Sequence, residues 1–231
     1  MQRKVVYKLV TTVAAIATAI TLSATPAAAV VITFDNTGTA GGTLSYNGTG
    51  GPAVGTNIGF DIVTVDAFPA LTCVGCVLNF STGPNTFESG VLWTWAGGGS
   101  FVITGTITDP NNGNVVVASG VLLSGSFSGP LPAFAGLGQD NQITFSGTGT
   151  DTKNASLLRY FGLSPNDFVY ANTEVTATNC TPNASNGFSC NVVEADVVNT
   201  QRTPEPATLT LFGLGLLGVG TVARRRIAAR K

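Results

Sequence analysis

Histidine is absent from the 231 residues, methionine occurs once, and 10% of the residues are charged, against roughly 25% in an ordinary soluble domain. Without histidine there is no Ser-His-Asp triad, no Cys-His nucleophile and no imidazole metal site. Lysine is nearly missing too: between residues 30 and 203 only Lys153 occurs. The bases gather at the ends, Arg3, Lys4 and Lys8 at one and Arg224, Arg225, Arg226, Arg230 and Lys231 at the other. Residues 30–203 hold eleven acids against three bases (Lys153, Arg159 and Arg202), a net charge of −8. So acidic a body repels phosphate backbones, which sets nucleic acid aside as a partner. Divalent cations and basic surfaces are its electrostatic complements. No cofactor and no metal site is expected.

What is present begins with a basic stretch to Lys8, an apolar run from Leu9 to Leu22, and small residues ending in Ala27, Ala28 and Ala29. Ala27 and Ala29 fit the A-x-A site of signal peptidase, and Pro26 breaks the helix just before it. The run of about 14 apolar residues is short for a membrane span of about 20. Residues 1–29 therefore read as a secretion signal cleaved after Ala29; the alternative is an uncleaved anchor.

At the other end, Pro204-Glu205-Pro206 precedes seventeen uncharged residues, 207–223, and then Arg224-Arg225-Arg226. Seventeen residues is the lower limit for a transmembrane helix. The arginines should stay cytoplasmic, in agreement with a signal that sends residues 30–200 to the other face of the membrane. The glycines at 213, 215, 218 and 220 make no GxxxG, so no helix-dimer face is expected. The prolines of the 201–206 linker hold it extended and exposed.

The tripeptide, the short span and the basic tail 224–231 together resemble the PEP-CTERM sorting domain over residues 203–231. That resemblance implies processing by an exosortase, with Pro204, Glu205 and Pro206 as recognition residues and Arg224, Arg225 and Arg226 as the stop-transfer cluster. It also implies a Gram-negative host that makes exopolysaccharide, passage through the inner membrane, and a final place in the cell envelope or extracellular matrix. The alternative is a plain tail anchor with a proline linker. In such a host the N-x-S/T triplets at Asn47, Asn79, Asn154 and Asn183 carry little weight.

Between the two ends, short apolar/polar alternations recur: Ile32 and Phe34; Ile58, Phe60 and Ile62; Phe101, Ile103 and Ile107; Ile143 and Phe145. Alternation of this kind marks strands with one buried face. Asn112-Gly113 should turn a hairpin between residues 101–108 and 114–127, and Asn47-Gly48 and Asn186-Gly187 are further turn candidates. A helical turn fits residues 154–160 or 165–170. The likeness of residues 32–38 to 143–149 is convergence on Gly/Thr strand ends rather than a repeat of fixed period. The expected fold is all-β, a two-sheet sandwich, with a β-solenoid as the alternative.

Export places Cys73, Cys76, Cys180 and Cys190 where disulfides persist. Three pairings are open; the local one, Cys73–Cys76 with Cys180–Cys190, is preferred. A two-residue turn at Asn186-Gly187 would set Cys190 opposite Asn183, so the second bridge requires a longer or bulged loop. A redox motif at Cys73–Cys76 lacks its following helix, and a Cys₄ zinc site lacks its second close pair.

Little else suggests chemistry. Asp61 and Asp66 should lie on opposite strand faces, and Glu88 in a turn. Asp109 to Asn114 has oxygen side chains at alternate positions, but Gly120 stands where a calcium loop needs its last acid. Trp93 and Trp95 share a strand face; they are core residues or, if exposed, a platform for sugar rings. The chain reads as a non-enzymatic envelope protein. A carbohydrate-binding module on exopolysaccharide is the alternative, and a glycoside hydrolase is third.

Overall fold

The computed structural model describes residues 30–66, 68–135, 141–164 and 168–201. The expected secretion signal, the linker beyond Gln201, the span 207–223 and the basic tail lie outside the described residues. Among those described, no helix is long and apolar enough to cross a membrane.

The described residues form twelve strands in chain order: β1 (Val31–Asp35), β2 (Thr43–Tyr46), β3 (Ala53–Val65), β4 (Leu71–Ser81), β5 (Asn85–Glu88), β6 (Leu92–Trp95), β7 (Gly98–Asp109), β8 (Val115–Phe127), β9 (Leu131–Ala135), β10 (Ile143–Lys153), β11 (Phe168–Pro182) and β12 (Phe188–Gln201). One helix, α1 (Ala155–Tyr160), follows β10. Every pairing is antiparallel, and the ring β2-β3-β4-β7-β8-β10-β11-β12 closes on itself. The expected sandwich is therefore wrong, and so is the solenoid: this is an eight-stranded up-and-down barrel with additional outer strands. Closure comes from the first strands meeting the last. β1 and β2 occupy the same gap end to end. Val31 faces Thr200 and Leu44 faces Cys190 on β12, while the other edges of both strands pair with β3. A barrel leaves none of these edges open, which a sandwich cannot do.

β9 continues along β10 beyond β8, β6 pairs with β9, and β5 pairs with β6. These three strands extend the wall past one rim. At the other rim α1 packs Leu157 and Leu158 inward. Asn154 caps this helix, its side-chain oxygen accepting from the amides of Ser156 and Leu157.

Eight strands enclose a space that side chains just fill, and here aromatic rings fill it. Phe80 stacks on Phe145 at 5.0 Å, and Phe101 lies 4.9 Å from Phe127. Glycines make the room: a Cβ on Gly55 would stand 2.2 Å from the Phe80 ring, and one on Gly149 2.9 Å from the Phe101 ring.

Bulges adjust the expected alternation. A register shift between Phe60 and Ile62 turns Val63 and Val65 inward and leaves Ile62 only partly buried. The β7–β8 hairpin forms as expected, but its turn is longer than two residues. Pro110–Asn112 make a 3-10 turn, and the positive φ angles fall on Gly113 and Asn114. Asp109 closes the turn by accepting from the Asn111 amide at 2.9 Å. The helical turn at residues 154–160 is present. Residues 165–167 lie outside the described residues, and β11 begins at Phe168. Glu88 ends strand β5 rather than sitting in a turn.

Candidate binding site at the barrel rim

Both local disulfides are formed, Cys73–Cys76 and Cys180–Cys190. The first sits within β4, where Gly75 has a positive φ and a register shift separates Val74 from Val77. Both of its cysteines are buried, which suits a structural bridge rather than an accessible redox pair. The second staples β11 to β12. A bulge between Thr178 and Thr181, with Asn179 at φ 52°, brings Cys180 beside Cys190. The loop from Asn183 to Gly187 is the longer connection the bridge requires. The Asn183 side-chain oxygen accepts from the amides of Ser185 and Gly187, and its amide donates to the Asn47 carbonyl.

This stapled hairpin forms one wall of a cavity of about 300 Å³ at the rim opposite α1. Trp93 from β6, Ile143 from β10 and Phe188 from β12 supply the apolar lining, and Asn141, Gln142 and Asn186 supply amides. The cavity lies at the small end of the range for small-molecule sites and has their mixed lining. Among the described residues, none that line the cavity is charged.

Trp93 is 93% buried and Trp95 wholly so. An exposed two-tryptophan platform is thus ruled out, and the two indoles have different roles. Trp95 packs edge-on against Tyr46 at 5.4 Å, inside the barrel. Trp93 packs edge-on against Phe188 at 5.1 Å and borders the cavity. Neither indole N–H has a hydrogen-bond partner among the described residues.

Glu88 sets part of this rim. It accepts from the Tyr46 hydroxyl at 3.1 Å and from the Asn186 amide nitrogen at 3.3 Å. Burial, reinforced by Glu88 and partly offset by the bond from the Gly50 amide, holds Tyr46 above its ordinary pKa. At neutral pH it remains a donor. The amide of Asn141 donates to the Cys180 carbonyl at 3.2 Å. The side-chain oxygens of Asn141 and Asn186 then have no partner among the described residues, and Gln142 has none for either end of its amide.

The acids singled out as candidates do not converge. Asp61 accepts from the Thr37 amide and hydroxyl at 2.9 and 2.6 Å, and Asp66 accepts from the Val31 amide at 2.8 Å. Asp109 accepts from the Tyr160 hydroxyl at 2.5 Å, a bond that lowers the Asp109 pKa and raises that of Tyr160.

A different set of acids does converge, through pairing that local sequence does not reveal. Asp35, Asp196 and Glu174 stand opposite one another across β1, β12 and β11, with Glu194 beside them facing Thr176. Burial first, then Glu174 and Asp35, push the Asp196 pKa up to about 6. The space between Glu174, Glu194 and Asp196 is about 50 Å³, enough for a water molecule or two and too small for a sugar ring. Among the described residues no group of three or more His, Cys, Asp or Glu could hold a metal ion.

No curated protein and no solved structure matches the chain. One family model does match, over residues 202–226, and its description is the PEP-CTERM protein-sorting motif. The chain thus carries a PEP-CTERM sorting motif directly after the last barrel strand, consistent with export and with sorting to the cell envelope by an exosortase-type system.

Proposed function

We propose that this protein is a non-enzymatic component of the envelope or extracellular matrix of a Gram-negative bacterium. Signal peptidase removes residues 1–29 after Ala29. Residues 207–223 then hold the chain in the inner membrane, with Arg224, Arg225 and Arg226 on the cytoplasmic side, until an exosortase grips the exposed Pro204-Glu205-Pro206. The sorting motif at 202–226 carries this reading. Two disulfides in a barrel with few charges suit a life outside the cytoplasm.

The barrel acts by binding. The rim cavity favours a carbohydrate-binding module on exopolysaccharide as the second reading, because its described lining combines an indole with amides and carries no charge. A hydrolase is weaker, because the acids that group together enclose too little space for substrate.

The test is to follow Glu205→Ala in the native host. The variant is expected to accumulate as an unprocessed, membrane-bound form while the parent moves to the surface or medium. Identical processing of both would refute the sorting step, and hydrolysis of exopolysaccharide by the purified protein would refute the non-enzymatic part.

A further inference from the structure

We infer that the rim cavity takes one neutral sugar ring, the terminal residue of a glycan. The inference deepens the binding reading above and rests on it. A cavity of about 300 Å³ whose described lining side chains carry no charge, with the nearby Glu88 carboxylate engaged by Asn186 and Tyr46, suits a small, neutral ligand. Its polar groups are of both kinds. The side-chain oxygens of Asn141 and Asn186 accept, and each amide nitrogen commits one of its two N–H groups, to the Cys180 carbonyl and to Glu88, and keeps the other. Gln142 can both donate and accept. A ligand that matches all three carries several groups able to donate and accept at once, which is the chemistry of adjacent hydroxyls. The exposed edges of the largely buried Trp93, Phe188 and Ile143, with Pro182, form an apolar wall against which the C–H groups of a pyranose pack.

β12 starts at the cavity with Phe188 and runs fourteen residues to Gln201, about 40 Å of extended chain. Gln201, the last described residue, therefore lies at the rim opposite the cavity.

The site is tested on the mature, oxidised protein by titrating the methyl glycosides of glucose, galactose, mannose and N-acetylglucosamine, with glucuronic acid as a charged comparison. Tryptophan fluorescence is the readout, because the chain has two tryptophans and one of them lines the cavity. At least one neutral glycoside should shift the emission saturably with a Kd of about 1 mM, ordinary for so small a ligand. A trisaccharide ending in the same sugar should bind at least as well, whereas a site for free monosaccharides would reject it. Gln142 is exposed and makes no hydrogen bond among the described residues, so Gln142→Ala should melt as the parent does and bind about tenfold more weakly. Glucuronic acid should also bind about tenfold more weakly than the neutral sugar. No binding of any glycoside at ~50 mM, unchanged affinity in Gln142→Ala, or rejection of the trisaccharide overturns the inference. None of these results bears on export and sorting, which are read from the fate of the chain in the cell.

Discussion

Asp196 on β12 stands directly opposite Glu174 on β11, acid against acid, on the outer wall of the barrel. Like charges paired across strands destabilise a sheet, and Asp35 on the other flank of Asp196 adds to the effect. Asp196, with its pKa near 6, keeps its proton in the folded protein over a range where the unfolded chain has lost it. The folded state binds the extra proton between about pH 4 and 6. The contribution of this group to stability is therefore greatest below pH 4 and is lost as pH rises to 6. With solvent screening of a half-exposed group taken into account, the loss is about 1–2 kcal/mol. Asp196→Asn should raise the Tm at pH 7 by about 2–6 °C and leave it nearly unchanged at pH 4. Equal shifts at the two pH values would show that the acid row is not the cause.

A buried ion pair should behave in the opposite way on mutation. Lys153 donates to both oxygens of Asp151 at 2.9 Å, and both side chains are almost inaccessible. Burial drives the Asp151 pKa up and the Lys153 pKa down, while their mutual attraction opposes both shifts. Lys153→Ala should cost about 3–5 kcal/mol by leaving a buried carboxylate without this partner. The double change Asp151→Leu with Lys153→Met should cost much less. Denaturant melts of Asp151→Leu, Lys153→Met and the double variant decide between this and additive losses.

The aromatic filling depends on bare backbone at Gly55. Gly55→Ala places a Cβ 2.2 Å from the Phe80 ring, and that ring is stacked on Phe145. The variant should lose about 1–3 kcal/mol, seen as a lower urea midpoint with the slope unchanged. A midpoint within error of the parent would mean that the rings shift freely.

These features differ in how far the sequence reveals them. Phe101, Ile103, Ile143 and Phe145 announce their strands because alternation is a local signal, and the cysteine pairing follows from proximity along the chain. Barrel and sandwich produce the same alternation. Closure depends on Val31 meeting Thr200, a pairing without a local mark, so the sandwich expectation failed there. The bulge after Phe60 likewise hid which of Ile62 and Val63 points inward. The rim cavity was legible only through Trp93. Asn141, Gln142, Asn186 and Phe188 come from separate segments and resemble ordinary turn and strand residues until the barrel closes. The acid row was hidden for the same reason.

The hairpin staple should matter more than the strand staple. Cys180 and Cys190 are ten residues apart and Cys73 and Cys76 three. On loop entropy, removing the first should cost about 3 kcal/mol and the second about 2 kcal/mol. Cys180→Ser with Cys190→Ser should also lower the sugar affinity of the rim, because this bridge holds the loop that carries Asn186. Retained affinity in that variant, measured by the same fluorescence titration, would show the loop to be fixed by other contacts.

Export is the claim on which the functional account depends, and intact-mass spectrometry of the protein isolated without reductant from fractionated cells tests it most directly. The account predicts an envelope or extracellular species that begins at Val30 and contains both disulfides. A cytosolic species that begins at Met1 with all four thiols reduced would contradict it.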